Sequence, residues 1–427
     1  MSRLHAEHLY KVFGRRPDEA VRRLEAGADR DELRADGTTA AVIDASFSVE
    51  PGQIFVVMGL SGSGKSTLLR MLNGLLEPTS GRVLFDGQDL TALGDRDLRR
   101  VRSHRISMVF QHFALFPHRS VLENAAYGLE VQGVPRAERE RRAGEALELC
   151  GLGGWAKSWP DELSGGMQQR VGLARALATD ADLLLMDESF SALDPLIRRD
   201  MQDQLLELQK RLKKTIVFIT HDLNEAMRLG DRIAVMRDGR IVQLGSAEDI
   251  LVRPANDYVA SFIQDVDRSR VLTAGAVMEP VETVLGTPAE PGAPAESGAP
   301  AEPGTPAESG GPARSGRQAR TAADQPRTAA DVLAAAPAAV PAATPLAELF
   351  GPCAGSAAPV AVTDEAGGLA GVVTRARLFA ALADGAAPGT GPGTGATTAP
   401  EAEAEADAQA DAQTGAEPAG RKEVARA

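Results

Sequence analysis

The sequence predicts an α/β fold in which a parallel sheet is covered by helices on both faces. Short and almost wholly apolar runs at 54–58, 182–187 and 215–220 have the composition of strands that are buried on both sides. They alternate along the chain with longer amphipathic segments such as 196–213. A glycine-rich turn at 59–67, GLSGSGKST, separates the first of these strands from a helix, which is the context of a phosphate-binding loop.

The composition limits which classes of protein this chain can belong to. At 427 residues it is too long for one ordinary core, so we expect two domains with tails. A net charge of -13 argues against a general nucleic-acid binder, which depends on cationic contacts to phosphate. The two cysteines, Cys150 and Cys353, predict a reducing compartment without a disulfide framework. No apolar run reaches membrane-spanning length and the first residues have no signal-peptide core, so any membrane role requires a partner.

The segment before the phosphate loop predicts two strands separated by an insertion. Residues 4–13 form the first strand, and 41–49 alternate as a second strand does. Between them, 14–39 is polar and charged and contains two short helices that end at Gly27 and Gly37.

The loop at 59–67 can bind phosphate mainly through its backbone. Gly59, Gly62 and Gly64 allow successive N–H groups to face one anion, and the helix that follows adds its positive N-terminal end. Lys65 can reach the β- and γ-phosphates, and the Ser66 hydroxyl can ligate Mg²⁺. The chain is therefore predicted to bind a nucleoside triphosphate through this loop, which also contains Ser61, Ser63 and Thr67.

Further strands and helices continue the pattern after the loop. Strands are predicted at 82–85 and 106–110, and the second ends at Gln111. A helical region follows at 136–150. The loop between these elements is rich in apolar residues that either lie exposed for a partner or pack inward, namely Phe113, Leu115 and Phe116.

Polar side chains occur where three of the predicted strands end. Asp187 ends an apolar strand, where a carboxylate can hold Mg²⁺ through water. Glu188 follows directly and can orient or deprotonate a water molecule. Gln111 and His221 end two other strands. Each residue alone has an ordinary explanation, as a solvent-facing acid, a loop amide or a turn histidine, so the interpretation depends on combining them with LSGGM at 163–167.

With that combination, residues 4–265 resemble the ATP-binding-cassette ATPases. The resemblance implies a phosphate-loop NTPase domain with a helical subdomain that carries the signature sequence. It implies that Phe13, rather than Tyr10, stacks on the adenine of ATP. Catalysis is assigned to Lys65, Gln111, Glu188 as the base and His221 as the γ-phosphate switch. The Mg²⁺ site is assigned to Ser66, Gln111 and Asp187, and the remaining nucleotide contacts to Ser164, Gly165, Gly166 and Asp194. The resemblance also implies that the loop at 191–194, which ends at Asp194, contacts the other cassette of a dimer.

The signature sequence lies at the N-terminus of a helix without a phosphate site nearby in its own subunit. We therefore expect two copies to associate head to tail, with two ATP molecules between them. Each signature would then cap the γ-phosphate bound by the other copy.

A narrower resemblance links the chain to the ATPase subunits of glycine betaine and proline importers. It rests on the insertion at 14–39 together with four further segments. These are VFQHFALFPHRSVLENAAYGLE at 109–130, ELSGGMQQRVGLARALA at 162–178, MDESFSALDPLIRRDMQ at 186–202 and HDLNEAMRLGDRIAVM at 221–236. It implies a homodimer peripheral to the cytoplasmic face of the membrane, with integral membrane permease subunits and an extracytoplasmic substrate-binding protein as partners. The alternatives are an importer of another small solute, such as choline or an amino acid, and a soluble cassette ATPase outside transport.

The chain is predicted to divide into the cassette at 1–265 and three further segments. GAVMEP at 275–280 resembles the opening of a CBS module, so 266–340 is interpreted as a degenerate CBS remnant followed by a disordered Pro/Ala/Glu/Gly linker. Residues 341–385, with AVTDEAGGLAGVVTRARLFAAL, resemble a second, small α+β CBS module. The resemblance leaves two alternatives, a functional sensor of ionic strength or of a nucleotide and a degenerate remnant without a regulatory role. Residues 386–427 are predicted to be a disordered, acidic and alanine-rich tail.

Overall fold

The computed structural model describes residues 3–281, 283 and 328–383, which form three sheets and the helices that cover them. The strands are β1 (Leu4–Phe13), β2 (Thr39–Val49), β3 (Ile54–Met58), β4 (Ser80–Phe85), β5 (Gln88–Asp89), β6 (Ile106–Val109), β7 (Leu183–Asp187), β8 (Thr215–Thr220), β9 (Arg232–Arg237), β10 (Arg240–Gly245), β11 (Glu279–Pro280), β12 (Ala339–Pro341), β13 (Val360–Thr363) and β14 (Leu369–Val373).

Six strands form the central sheet in the order β10-β9-β3-β8-β7-β6. Neighbouring strands are parallel, except that β10 is antiparallel to β9. The side chains of β3 alternate between two cores: Val56 and Met58 lie in one, Phe55 and Val57 in the other. The strand is buried on both faces, as its uniformly apolar sequence predicts. Because parallel strands end at the same edge of a sheet, the polar residues that follow β3, β6, β7 and β8 come together there.

The N-terminal strands form a second, antiparallel sheet in the order β2-β1-β4-β5. The insertion between β1 and β2 contains two helices, α1 (Pro17–Glu25) and α2 (Arg30–Ala35), as the sequence predicts. Val21, Leu24 and Leu33 of these helices pack with Tyr10 in a small separate core. The insertion is therefore a folded part of this sheet.

Helices cover the central sheet and build the subdomain that carries the signature sequence. They are α3 (Lys65–Leu72), α4 (Asp95–His104), α5 (Val121–Val131), α6 (Arg136–Leu149), α7 (Gly165–Ala178), α8 (Pro195–Leu212), α9 (Leu223–Leu229), α10 (Ala247–Val252) and α11 (Asp257–Phe262). Helices α5, α6 and α7 pack on one another. No helix within 3–281 or 328–383 combines the length and apolar character needed to cross a bilayer.

A smaller sheet, in the order β11-β14-β13-β12, belongs to the C-terminal part of the chain. Its helices are α12 (Arg268–Val271), α13 (Ala274–Val277), α14 (Ala329–Ala335), α15 (Leu346–Gly355) and α16 (Arg375–Ala383). Leu272, Leu346 and Val360 belong to the same buried cluster as the helices of the cassette. The segment 266–340 is expected from its sequence to be a CBS remnant and a disordered linker, but it contains β11, α14 and the first two residues of β12. Both ends of that segment are therefore folded, and the part at 284–327 lies outside the described residues. The predicted acidic tail lies outside the described residues.

Candidate nucleotide-binding and hydrolytic site

The loop between β3 and α3 has a backbone that requires glycine. Gly64, immediately before α3, has φ +104°, and a methyl group there would lie 2.2 Å from the carbonyl oxygen of Ala41. A methyl group on Gly59 would lie 2.2 Å from the carbonyl oxygen of Met236. Both positions therefore exclude a side chain, which leaves the backbone free to curl around an anion. Among the other loop residues, Ser61 and Gly62 are exposed, Ser63 is buried, and Ser66 and Thr67 are half-buried.

Lys65 is buried at the first position of α3. Its Nζ donates to the carbonyl oxygens of Gly59 (2.9 Å) and Leu60 (3.2 Å) and lies 3.6 Å from Oε1 of Glu188. Burial lowers the pKa of Lys65, and the charge of Glu188 opposes that shift. The ammonium group is thus held at the loop between the backbone carbonyls and the carboxylate.

Ser66 and Asp187 are brought together as the sequence predicts for a metal site. The Ser66 hydroxyl donates to Oδ1 of Asp187 at 3.2 Å. Burial raises the pKa of Asp187, while the hydrogen bond from Ser66 lowers it. The Ser66 hydroxyl and the Asp187 carboxylate supply oxygen ligands of the kind that Mg²⁺ prefers. Nearby in the same loop, the buried Ser63 Oγ has no hydrogen-bond partner among the described residues. The amide of Gln111 instead donates to Oγ of Ser191 (3.2 Å).

Glu188 and His221 meet at the ends of β7 and β8. Nδ1 of His221 lies 3.0 Å from Oε2 of Glu188. Glu188 has φ +42°, a conformation that costs a non-glycine residue energy and is concentrated at functional sites. Its backbone is fixed on both sides, since its N–H donates to the carbonyl of Ile219 and its carbonyl accepts from the Ser191 hydroxyl. The Glu188 carboxylate therefore lies between Lys65 and His221.

Phe13 and Tyr10 differ in their availability to a ligand. Phe13 is 45% exposed at the end of β1, with Nζ of Lys11 5.3 Å from its ring centroid. Tyr10 is 6% exposed and packs in the small core of the insertion. Of these two rings, Phe13 is the one that can stack on a base.

The signature sequence forms the N-terminus of α7. The Ser164 hydroxyl caps the helix, and Gly165 is exposed. Gly166 packs against Ile197 of α8, whose own N-terminus is capped by Asp194. Among the described residues, no hydrogen bond joins this turn to the phosphate loop. Within one subunit, the turn and the phosphate loop are therefore separate features.

The loop after β6 is hydrogen-bonded to a buried arginine that was not predicted from the sequence. Arg175 of α7 donates to the carbonyls of Ala114 (2.5 Å) and Phe113 (3.0 Å), two residues with positive φ. Phe113 and Leu115 pack against the core, so the inward alternative holds for both. The available signal was an arginine inside the otherwise apolar run VGLARALA of α7. Ser191 was also missed as a bridge between Gln111 and Glu188.

Two tryptophans lie on the segment between α6 and α7. Trp155 and Trp159 are 42% and 46% exposed. The backbone between them is fixed to α5, because the carbonyls of Ala156 and Ser158 accept from the first residues of that helix. Both rings therefore project from a tethered segment that leads directly into the signature turn.

Comparisons with known proteins identify the class of protein to which this fold and this site belong. The family model described as "ABC transporter" matches residues 42–191. Among solved structures, cbiO1 from Clostridium perfringens, described as part of the transporter complex cbiONQ, has a TM-score of 0.50 and 26% identity, covering 62% of this chain and 94% of that chain. The fold and the phosphate loop thus define an ATP-binding cassette.

The sequence relatives narrow the class. The glycine betaine transport ATP-binding protein OpuAA of Bacillus subtilis is 58% identical over 283 residues, which cover 66% of this chain and 68% of that protein. The glycine betaine/carnitine protein GbuA of Listeria monocytogenes is 58% identical over 279 residues (65% and 70%). The glycine betaine/proline betaine protein ProV of Salmonella typhimurium is 53% identical over 289 residues (67% and 72%). The chain belongs to this family of glycine betaine transport ATP-binding proteins, which confirms the resemblance seen in the sequence.

Proposed function

We propose that this chain hydrolyses ATP to energise import of an osmoprotectant of the glycine betaine and proline type through a partner permease. The observation that carries the proposal is the position of the Glu188 carboxylate, 3.6 Å from Lys65 Nζ and 3.0 Å from His221 Nδ1 at the edge of the sheet where the phosphate loop opens. The family relationship supports the transport role. The alternative solutes, choline or an amino acid, are distinguished by the permease rather than by this site.

The groups of the site suit hydrolysis of a γ-phosphoryl group. The loop at 59–67 holds the phosphates, and Phe13 stacks on the adenine. Glu188 accepts a proton from the attacking water, a bond forms between the water oxygen and the γ-phosphorus, and the bond to the β-phosphate oxygen breaks to leave ADP. Lys65 and His221 offset the negative charge that develops. Ser66 and Asp187, with Gln111, would hold Mg²⁺, which neutralises phosphate charge when bound.

We infer that the working unit is a head-to-tail homodimer. The N-terminus of α7 is exposed at Ser164 and Gly165. A helix N-terminus presents backbone N–H groups and a partial positive charge to an anion. Apolar side chains next to the site are exposed, with Leu196 at 71% and Leu60 at 56%. A second copy would cover these side chains and complete each triphosphate pocket with its signature turn and Asp194.

Around the cassettes, the proposed assembly includes integral membrane permease subunits and an extracytoplasmic substrate-binding protein, with the ATPase peripheral to the cytoplasmic face.

The division of the chain into domains and linkers at 265, 340 and 385 stays a prediction. The C-terminal sheet, with parallel β12 and β13 and antiparallel β14, supports a small α+β CBS-like unit at 341–385 that also includes β11 and most of β12 from the preceding segment. A soluble ATPase outside transport is the remaining alternative.

The test is reconstitution of the full chain with its permease and binding protein in vesicles. We expect ATP hydrolysis to be stimulated by glycine betaine or proline, and choline to give less stimulation. The Glu188→Gln variant is the control for hydrolysis by a contaminant. Absence of stimulation by any of the three solutes across several salt concentrations would contradict the importer, and permanent recovery of the protein away from membranes would favour the soluble alternative.

A further inference from the structure

Arg198, in the first turn of α8, contacts two loops of the site at once. Its Nη2 donates to the carbonyl oxygens of Leu193 (3.0 Å) and Ser191 (3.3 Å), in the loop that leads to Asp194. Its Nη1 donates to Oδ2 of Asp222 (3.2 Å), the residue after His221. A single guanidinium group therefore joins the segment after β7 to the segment after β8.

The second loop is anchored by a carboxyl group that is almost completely buried. Glu225 is 2% exposed and accepts hydrogen bonds from Oγ1 of Thr220 (2.6 Å) and Nε2 of Gln202 (3.2 Å). Nε of Arg198 lies 3.8 Å from Oε1 of Glu225. A buried carboxylate is stable only when donors and a cation surround it, so Arg198 compensates the charge of Glu225.

Both loops also contact the proposed base. The Ser191 hydroxyl donates to the carbonyl of Glu188 at 2.8 Å. On the other side, Thr220 and Asp222 flank His221, and the Thr220 hydroxyl accepts from the N–H of Asp222 at 2.9 Å. A displacement of either loop would therefore change the separation of His221 from Glu188.

We propose that Arg198 is a positioning residue that couples the dimer-contact loop at 191–194 to the loop carrying His221. When a second cassette docks on the first loop, Arg198 transmits its position to the second and sets His221 against Glu188. This inference rests on the proposed function, because it requires ATP hydrolysis by a dimer. It adds a residue outside the nucleotide pocket to the determinants of the rate.

Arginine suits this role for a geometric reason. Its planar guanidinium presents donors in fixed directions, whereas the lysine ammonium is a point charge on a flexible stem. Arg198→Lys keeps a cation near Glu225 but cannot reach the acceptors of both loops together. The adjacent Arg199 is exposed and forms no hydrogen bond or ion pair among the described residues, so Arg199→Lys is a matched control.

The experiment measures ATP hydrolysis by the full chain as a function of ATP concentration. For Arg198→Lys we expect kcat to fall about 10- to 100-fold, as for a small misplacement of a catalytic group, with KM for ATP changed by less than about twofold. Arg199→Lys should match the wild type. In single-turnover assays, adding Arg198→Lys to His221→Ala should cause no further loss, because the arginine acts through the histidine.

If thermal unfolding shows that Arg198→Lys is poorly folded, a second variant provides the test. Asp222→Asn can still cap α9 but loses the ionic contact with Arg198, so we expect a smaller fall in kcat with KM unchanged. The coupling would be refuted by wild-type kcat in both variants, or by losses that multiply in the double mutant with His221→Ala. If the wild type and Arg199→Lys do not hydrolyse ATP, the proposed function itself fails.

Discussion

The two glycines of the signature turn make different contacts, and this difference gives a test of the dimer. A methyl group on Gly165 would have one neighbour within 4 Å, Phe113 Cζ at 3.6 Å, which is an ordinary contact. A methyl group on Gly166 would lie 2.4 Å from Cγ2 of Ile197. Gly165→Ala is therefore compatible with the isolated subunit, whereas Gly166→Ala forces α7 and α8 apart.

These contacts determine the expected changes in the free energy of unfolding and in the rate of ATP hydrolysis. Gly165→Ala should change the free energy of unfolding by no more than about 1 kcal/mol, the difference in helix propensity between the residues. Gly166→Ala should cost about 1–3 kcal/mol in overpacking, of which up to about 1 kcal/mol is returned by propensity. Hydrolysis should fall about 100-fold or more in Gly165→Ala, because the methyl group obstructs the approach of the partner's triphosphate to the N–H groups of the turn.

Three measurements check this reasoning. Calorimetry gives the stability of each variant. Light scattering after size exclusion, in a Glu188→Gln background with Mg-ATP, measures the molar mass and so shows whether the protein is a dimer. The dimer should be lost in Gly165→Ala. The double variant Gly166→Ala with Ile197→Ala should recover part of the lost stability, since the clashing methyl group is removed. A Gly165→Ala protein that dimerises and hydrolyses ATP like the wild type would show that no partner phosphate approaches this turn.

Three further predictions concern single side chains. Glu188→Gln should reduce turnover about 10²- to 10⁴-fold while ATP binding measured by calorimetry is retained, because only the proton acceptor is lost; ordinary turnover would remove Glu188 as the base. Ser189→Ala should leave the melting temperature unchanged or raise it by roughly 2–4 °C, since the hydroxyl is fully buried with no partner among the described residues; a fall of several degrees would contradict this. Burial raises the pKa of Glu225 above its unfolded value, so its contribution to stability falls as pH rises through that folded pKa. Glu225→Gln should reduce the loss of unfolding free energy as pH rises above about 4.5. The free energy of unfolding is measured by urea titration at a series of pH values, and the same pH dependence in the variant and the wild type would refute the raised pKa.

The strands of the cassette could be predicted from sequence because their signal is local. Leu4–Phe13, Ile54–Met58 and Thr215–Thr220 occur as their apolar patterns predict. The polar residues at the strand ends were also predictable, since parallel topology places them at one edge. The positive φ of Glu188 leaves no sequence signature, and it is fixed by backbone contacts with β8.

Contacts between distant segments could not be predicted in the same way. Arg175 lies more than sixty positions from the carbonyls of Phe113 and Ala114 that it binds, and Arg198 meets Glu225 only because α8 and α9 are adjacent in the fold. From the sequence alone, the apolar residues after Gln111 are equally compatible with an exposed or a buried loop, because the hydrogen bonds from Arg175 to that loop are not known. The pairing of β11 with β14 joins residues 279–280 to 371–372, and the periodicity of the sequence carries no signal of a pairing over that separation.

The chain contains two tryptophans, and both project from the tethered segment that precedes the signature turn. Indole emission shifts when water around the ring is replaced, so the protein carries an intrinsic optical reporter confined to one small area of its surface. Binding of another macromolecule over that area could be followed in real time without attaching a dye. Replacing Trp155 and Trp159 one at a time with phenylalanine would resolve which side of the segment is covered first.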